Sequence, residues 1–137
     1  MGSMPIKIPL TKLVAAVESG ALGRLEKARI PWKYRMTCAK LASVVVAEYQ
    51  RFSKLRLEMV KKHNGKEIKP GTFTVAHEGN PPEAVQAFTD DMQQLLDTPL
   101  DLEVAPLSIE KLGDDCDLSV EDIRLLGPLL VETLASL

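Results

Sequence analysis

The sequence predicts an α+β fold, mostly helical, in which one long central helix packs with two or three shorter helices and a small antiparallel sheet. Three observations predict it. Apolar residues recur at spacings of three and four from Tyr34 to Met59, the period of an amphipathic helix. Short alternating stretches stand on either side, Ile6-Lys7-Ile8 and Leu100-Asp101-Leu102-Glu103-Val104, the period of half-exposed strands. The 137 residues are 45% hydrophobic and 26% charged, enough apolar material for one buried core. That balance excludes a disordered chain, a collagen-like repeat and a disulfide-stapled mini-protein. With no internal repeat, low-complexity run or long linker, a single domain over residues 4–137 is expected.

Met1-Gly2-Ser3 reads as an expression scar ahead of a start at Met4. Ile6, Ile8 and Leu10 then alternate with Lys7 and Pro9. Pro9 has no backbone donor, so this strand belongs at an edge. Thr11 is placed to cap a helix carrying Leu13, Val14, Val17, Ala21, Leu22 and Leu25. Gly20 and Gly23 each weaken it by about 1 kcal/mol relative to Ala, so a kink is expected there.

The strongest signal follows. Pro31 suits a first helical turn, and His63-Asn64-Gly65 is a natural left-handed stop. Between them Tyr34, Cys38, Leu41, Val45, Phe52, Leu55 and Met59 form a seam that only Glu48 interrupts, thickened by Val44 and Val46. A helix over 31–63 is roughly 50 Å long, whereas a compact domain of this size has a radius of gyration of about 14 Å. Two readings follow: a second helix runs back along it as a hairpin, or copies associate through the seam as in a coiled coil.

Lys66-Glu67-Ile68-Lys69 and Thr72-Phe73-Thr74-Val75 flank Pro70-Gly71, a pair suited to the centre of a type II turn, so a hairpin is expected. Asn80 is placed to cap a helix over 81–97 whose apolar face is Ala84, Val85, Phe88, Met92, Leu95 and Leu96. Leu100, Leu102 and Val104 give a half-exposed strand, and Ser108 to Leu112 one helical turn. Ser119-Val120-Glu121-Asp122 resembles a capping box with Asp in place of Glu. It opens a last helix with Ile123, Leu125, Leu126, Leu129, Leu130 and Leu134, which Gly127-Pro128 bends or divides.

Near-neutrality conceals two charge blocks. Residues 1–80 hold fifteen Lys and Arg against six Asp and Glu, while residues 81–137 hold two against thirteen, so +9 and −11 give the net −2. Folding the acidic half onto the basic helix neutralises these charges internally. Two other arrangements use them between molecules: copies meeting basic face to acidic face, or the basic helix tracking phosphates. Trp32, Lys33, Tyr34 and Arg35, with Lys40, are the residues that would stack on bases and hold phosphates. The acidic sequence pI of about 5.7 makes nucleic acid the weakest of the three.

Catalytic materials are sparse. His63 and His77 have no second ligand at metal spacing, and no phosphate loop, nucleophile elbow or zinc-protease helix occurs. Cys38 falls on an apolar helix face and Cys116 among Asp114, Asp115 and Asp117. Both are read as free thiols. A calcium loop starting at Asp115 fails, because Val120 stands where Gly is needed and Leu126 where a bidentate Glu belongs. No enzyme, metal or cofactor is therefore expected. No run reaches the roughly 18 apolar residues of a membrane span, and no targeting segment opens the chain. A cytoplasmic protein that keeps off membranes is the expectation.

The order of features resembles a family. It comprises Ile6-Lys7-Ile8, the Ile30-Pro31 junction, a long basic helix closing on Lys61-Lys62-His63-Asn64-Gly65, and a helix ending Leu95-Leu96-Asp97. Leu100-Asp101-Leu102-Glu103-Val104-Ala105-Pro106-Leu107 and Leu125-Leu126-Gly127-Pro128-Leu129 complete it. This is similar to small uncharacterised α+β proteins carried by tailed bacteriophages and prophages. The resemblance carries over no functional residues. It implies a role in virion assembly or in handling a host protein, in the bacterial cytoplasm or with the virion. The expected contact surface is the long helix with Lys54, Arg56, Lys61 and Lys62 as its charged rim, its partner a phage or host protein or a second copy. The alternative is a small nucleic-acid-binding or transcription-regulating protein.

Overall fold

A computed structural model describes residues 6–112 and 116–131. The start expected at Met4, the acids Asp114 and Asp115, and Leu134 lie outside the described residues. The fold is α+β, with five α-helices and short two-stranded sheets among the described residues. It divides into two compact units, one built from the chain before Gln50 and after Thr98, the other from Gln50–Thr98.

In the first unit, β1 (Ile6–Pro9) pairs antiparallel with β4 (Pro99–Leu102), Ile8 opposite Leu100. Its side chains alternate between core and solvent as the sequence requires, Ile6 and Ile8 buried, Lys7 and Pro9 exposed. The chain turns from β1 directly into α1 (Leu10–Glu18), with Pro9 as the N-cap residue and no side-chain cap. Thr11 is thus inside the helix and not its cap. A second helix, α2 (Ala21–Lys27), replaces the expected kinked continuation. The cause is Gly20, whose φ of 86° is left-handed backbone that no α-helix contains. Leu13, Ala16, Ala21, Leu22 and Leu25 are buried from this pair of helices.

The C-terminal part closes the same core. α5 (Val120–Leu126) has the expected capping box: Ser119 Oγ accepts from Asp122 N at 3.0 Å, and Asp122 Oδ2 accepts from Ser119 N at 3.4 Å. At Gly127 (φ 41°) the helix gives way to a 3₁₀ turn, Gly127–Leu129. The chain then leaves as β6 (Leu130–Val131), parallel to β5 (Leu107–Ser108). The expected helical turn after Ser108 is a 3₁₀ turn over Ile109–Leu112. α1, α2 and α5 pack on one another, with Leu102, Leu107, Leu126 and Leu129 buried.

The long helix, α3 (Trp32–Lys62), begins just after Pro31 and ends on a Schellman motif. Gly65 N donates to Val60 O at 2.7 Å and Asn64 N to Lys61 O at 3.2 Å, with Asn64 left-handed at φ 61°. Cys38, Leu41, Val45 and Phe52 are buried along its seam, as are Ala42 and Val60. Leu55, expected in the seam, is 46% exposed. Beyond Glu48 the inward line runs through buried Phe52, half-buried Arg56 and buried Val60, four residues apart.

The second unit contains the end of α3, a hairpin of β2 (Lys66–Lys69) and β3 (Thr72–Thr74), and α4 (Pro82–Leu96). The hairpin turns at Pro70-Gly71, with Gly71 at φ 80° as a type II turn demands. The N-cap residue of α4 is Pro81, without a side-chain cap. Asn80 has another task. Buried, it donates through Nδ2 to Val75 O at 2.7 Å and to His63 O at 3.0 Å. It fastens the loop ahead of α4 to the end of α3.

Candidate functional site

The second unit places an open groove of about 550 Å³ against the end of α3. Ser53, Arg56, Leu57 and Val60 line it from the helix, Thr72 and Phe73 from the hairpin, and Phe88 from α4. Spacing on α3 makes this wall: Ser53, Leu57 and Val60 stand at i, i+4 and i+7, one face over two turns. Leu57 keeps 37% of its surface in water, so this wall is accessible from solvent. None of the residues of α4 is fully buried, although Ala84, Val85, Phe88, Met92, Leu95 and Leu96 give it a continuous apolar face.

The groove's end is fixed by polar contacts. His63 Nε2 lies 2.8 Å from Asp91 Oδ2, its ring meets Phe88 edge-on at 6.1 Å, and His77 Nε2 lies 2.8 Å from Asn64 O. The two histidines thus tie α4 and the loop after the hairpin to the end of α3. Sequence patterning gives no sign of these pairings, since their partners are thirteen or more residues away.

The expected charged rim is only partly assembled. Lys54, Lys61 and Lys62 are exposed, and Lys54 and Lys61, seven residues apart, share one side of α3 beside Leu57. Arg56 departs from that rim. It is half-buried, lines the groove, and lies with its guanidinium carbon 5.0 Å from the Phe52 ring centroid. The difference follows from the shift of the inward line onto Phe52, Arg56 and Val60.

The aromatic–basic cluster belongs to the first unit. Trp32 is 85% and Met36 72% exposed. Arg35, expected to hold a phosphate, donates through its two terminal nitrogens to Ala28 O at 3.1 Å and Glu26 O at 3.3 Å. It thereby holds carbonyls at the end of α2, where the helix dipole favours a cation. Its guanidinium also lies 5.1 Å from the Trp32 ring, and Lys33 Nζ lies 5.2 Å from that of Tyr34.

The two charge blocks meet inside the chain at Arg24 and Asp122. Arg24 and Asp122 form an ion pair at 2.7 Å, with the Asp122 side chain 8% exposed. The Arg24 hydrogen bond, aided by that of the Ser119 N–H, holds the Asp122 carboxyl below its ordinary range. Burial pushes the Cys38 thiol up, and both Cys38 and Cys116 are free. Among the described residues no group of three His, Cys, Asp or Glu side chains could hold a metal ion. Nor is any described helix long and apolar enough to cross a membrane. No protein family, curated protein or solved structure was found to match the chain.

Proposed function

We propose that this chain is a non-enzymatic protein that works by protein–protein contact through the groove beside the end of α3. One observation carries the reading: an amphipathic helix with no fully buried residue adjoins an open, largely apolar groove. Exposed Leu57 beside half-buried Phe73 and Phe88 leaves apolar surface in that groove for a partner to cover. The resemblance to small phage and prophage proteins supports a role as an assembly factor or minor structural component, in the bacterial cytoplasm or with the virion. The partner is then a phage protein, a host protein or another copy.

A second reading, nucleic-acid binding, is favoured by the exposure of Trp32 beside Lys33 and Lys40. It is weakened by the commitment of Arg35 to the end of α2. Affinity capture from nuclease-treated and untreated bacterial lysates separates the two. Protein contact predicts bound protein that survives nuclease and is lost with Leu57→Glu. Bound material that disappears with nuclease and depends on Lys33 and Lys40 contradicts it.

A further inference from the structure

We infer that the occupant of this groove is an acidic amphipathic helix presented by a partner protein, an inference that rests on the protein-contact reading above. The shape argues for an amphipathic element. The apolar lining of Leu57, Val60, Phe73 and Phe88 takes apolar side chains, while the open side leaves the occupant's other face in water. Ser53 to Val60 spans seven residues of α3, about 10 Å, which matches two turns of a helix laid alongside. Anchors at i, i+3, i+4 and i+7 are how helices fill such grooves.

The charge argues for acid. Near the end of α3 the exposed Lys54, Lys61 and Lys62 outnumber the exposed Glu58. Arg56 stands in the wall, and Lys54 and Lys61 flank Leu57, three residues before and four after it. The opposite wall carries a negative group: Glu67 is the register partner of Phe73, and cross-strand partners share a face. The occupant's carboxylates therefore lie on the α3 side and its neutral or basic residues on the hairpin side.

Fluorescence anisotropy on the full chain tests this with three labelled synthetic helices of about four turns. One has Leu at the anchor spacing with Glu between, one has Lys in place of Glu, and one keeps the Glu composition with the Leu order scrambled. The first is expected to bind about tenfold or more tighter than the others. Leu57→Glu should abolish that binding and Lys54→Glu with Lys61→Glu should weaken it about tenfold. These three positions are exposed, so unchanged circular dichroism and melting show that the fold is kept. Absence of binding, equal binding of the Lys helix, or indifference to the variants overturns the inference. A dimer by light scattering that Leu57→Glu dissociates puts a second copy in the groove, which overturns the foreign helix but keeps protein contact. Duplex DNA that binds and displaces the Glu helix overturns both.

Discussion

Arg24 Nε donates a 2.7 Å hydrogen bond to Asp122 Oδ1, joining α2 to the first turn of α5 across 98 residues of sequence. The same arginine donates to Ser19 O at 3.2 Å, and the same aspartate completes the capping box of α5. One carboxylate thus closes a helix N-terminus and ties the two ends of the first unit together.

Ser119→Ala removes the cap alone and is expected to cost about 1 kcal/mol. Asp122→Asn removes part of the cap and the ion pair, so it should destabilise more than Ser119→Ala. The folded-state carboxyl is held below the ordinary value of about 3.9. Its stabilisation is therefore present above that pH and is lost as pH falls through the depressed folded value. Denaturation followed from pH 7 to pH 2 should show a smaller acid loss in Asp122→Asn than in the parent. An unchanged acid slope contradicts this account.

The glycines separate by what a side chain would meet. A Cβ on Gly65 would lie 2.1 Å from Val60 Cγ1 and 2.7 Å from Val60 O, whereas one on Gly23 meets nothing within 4 Å. Gly65→Ala should cost about 1–3 kcal/mol through overpacking at the end of α3. Gly23→Ala should stabilise α2 by up to about 1 kcal/mol. Urea unfolding of the two variants checks the opposite signs.

Asn80 offers two N–H donors to carbonyls on two sides of a loop. Asn80→Ala leaves Val75 O and His63 O without that donor and should cost about 1–3 kcal/mol. Asn80→Asp, similar in shape, sets a carboxylate against both carbonyls and should be worse than Ala. Were Asn80 a helix cap, Asp would be tolerated, because Asn and Asp are nearly equal there. Thermal melting of the pair decides between the roles.

Cys38 is buried, with its thiol pushed up by burial, so it should resist alkylation in the native state. Cys116 is only half-buried. Native protein treated with iodoacetamide should be labelled at Cys116 first, and at Cys38 only with denaturant. Early labelling of Cys38 contradicts its placement in the α3 seam.

Local rules carried the sequence reading where a single element decides the outcome. Alternation marked β1, Asn64-Gly65 marked the end of α3, Pro70-Gly71 marked the hairpin, and Ser119 with Asp122 marked the cap. Pairings between distant segments left no local trace. β5 and β6 are two residues each and pair parallel across more than twenty residues, too short for any period to register. The apolar rhythm before Glu48, continued through Leu55 and Met59, points Arg56 outward. In the second unit a small core buries Phe52 and Val60, and that four-residue line draws Arg56 inward. The groove was invisible in the sequence for the same reason: its walls come from three segments that local patterning treats separately.

A photo-crosslinking amino acid at position 57, compared with the same residue at exposed Lys12, tests the contact surface most directly in bacterial cells. The account predicts discrete protein adducts from position 57 that are absent from position 12 and are suppressed by Lys54→Glu with Lys61→Glu. Adducts to nucleic acid, or the same adducts from both positions, would contradict it.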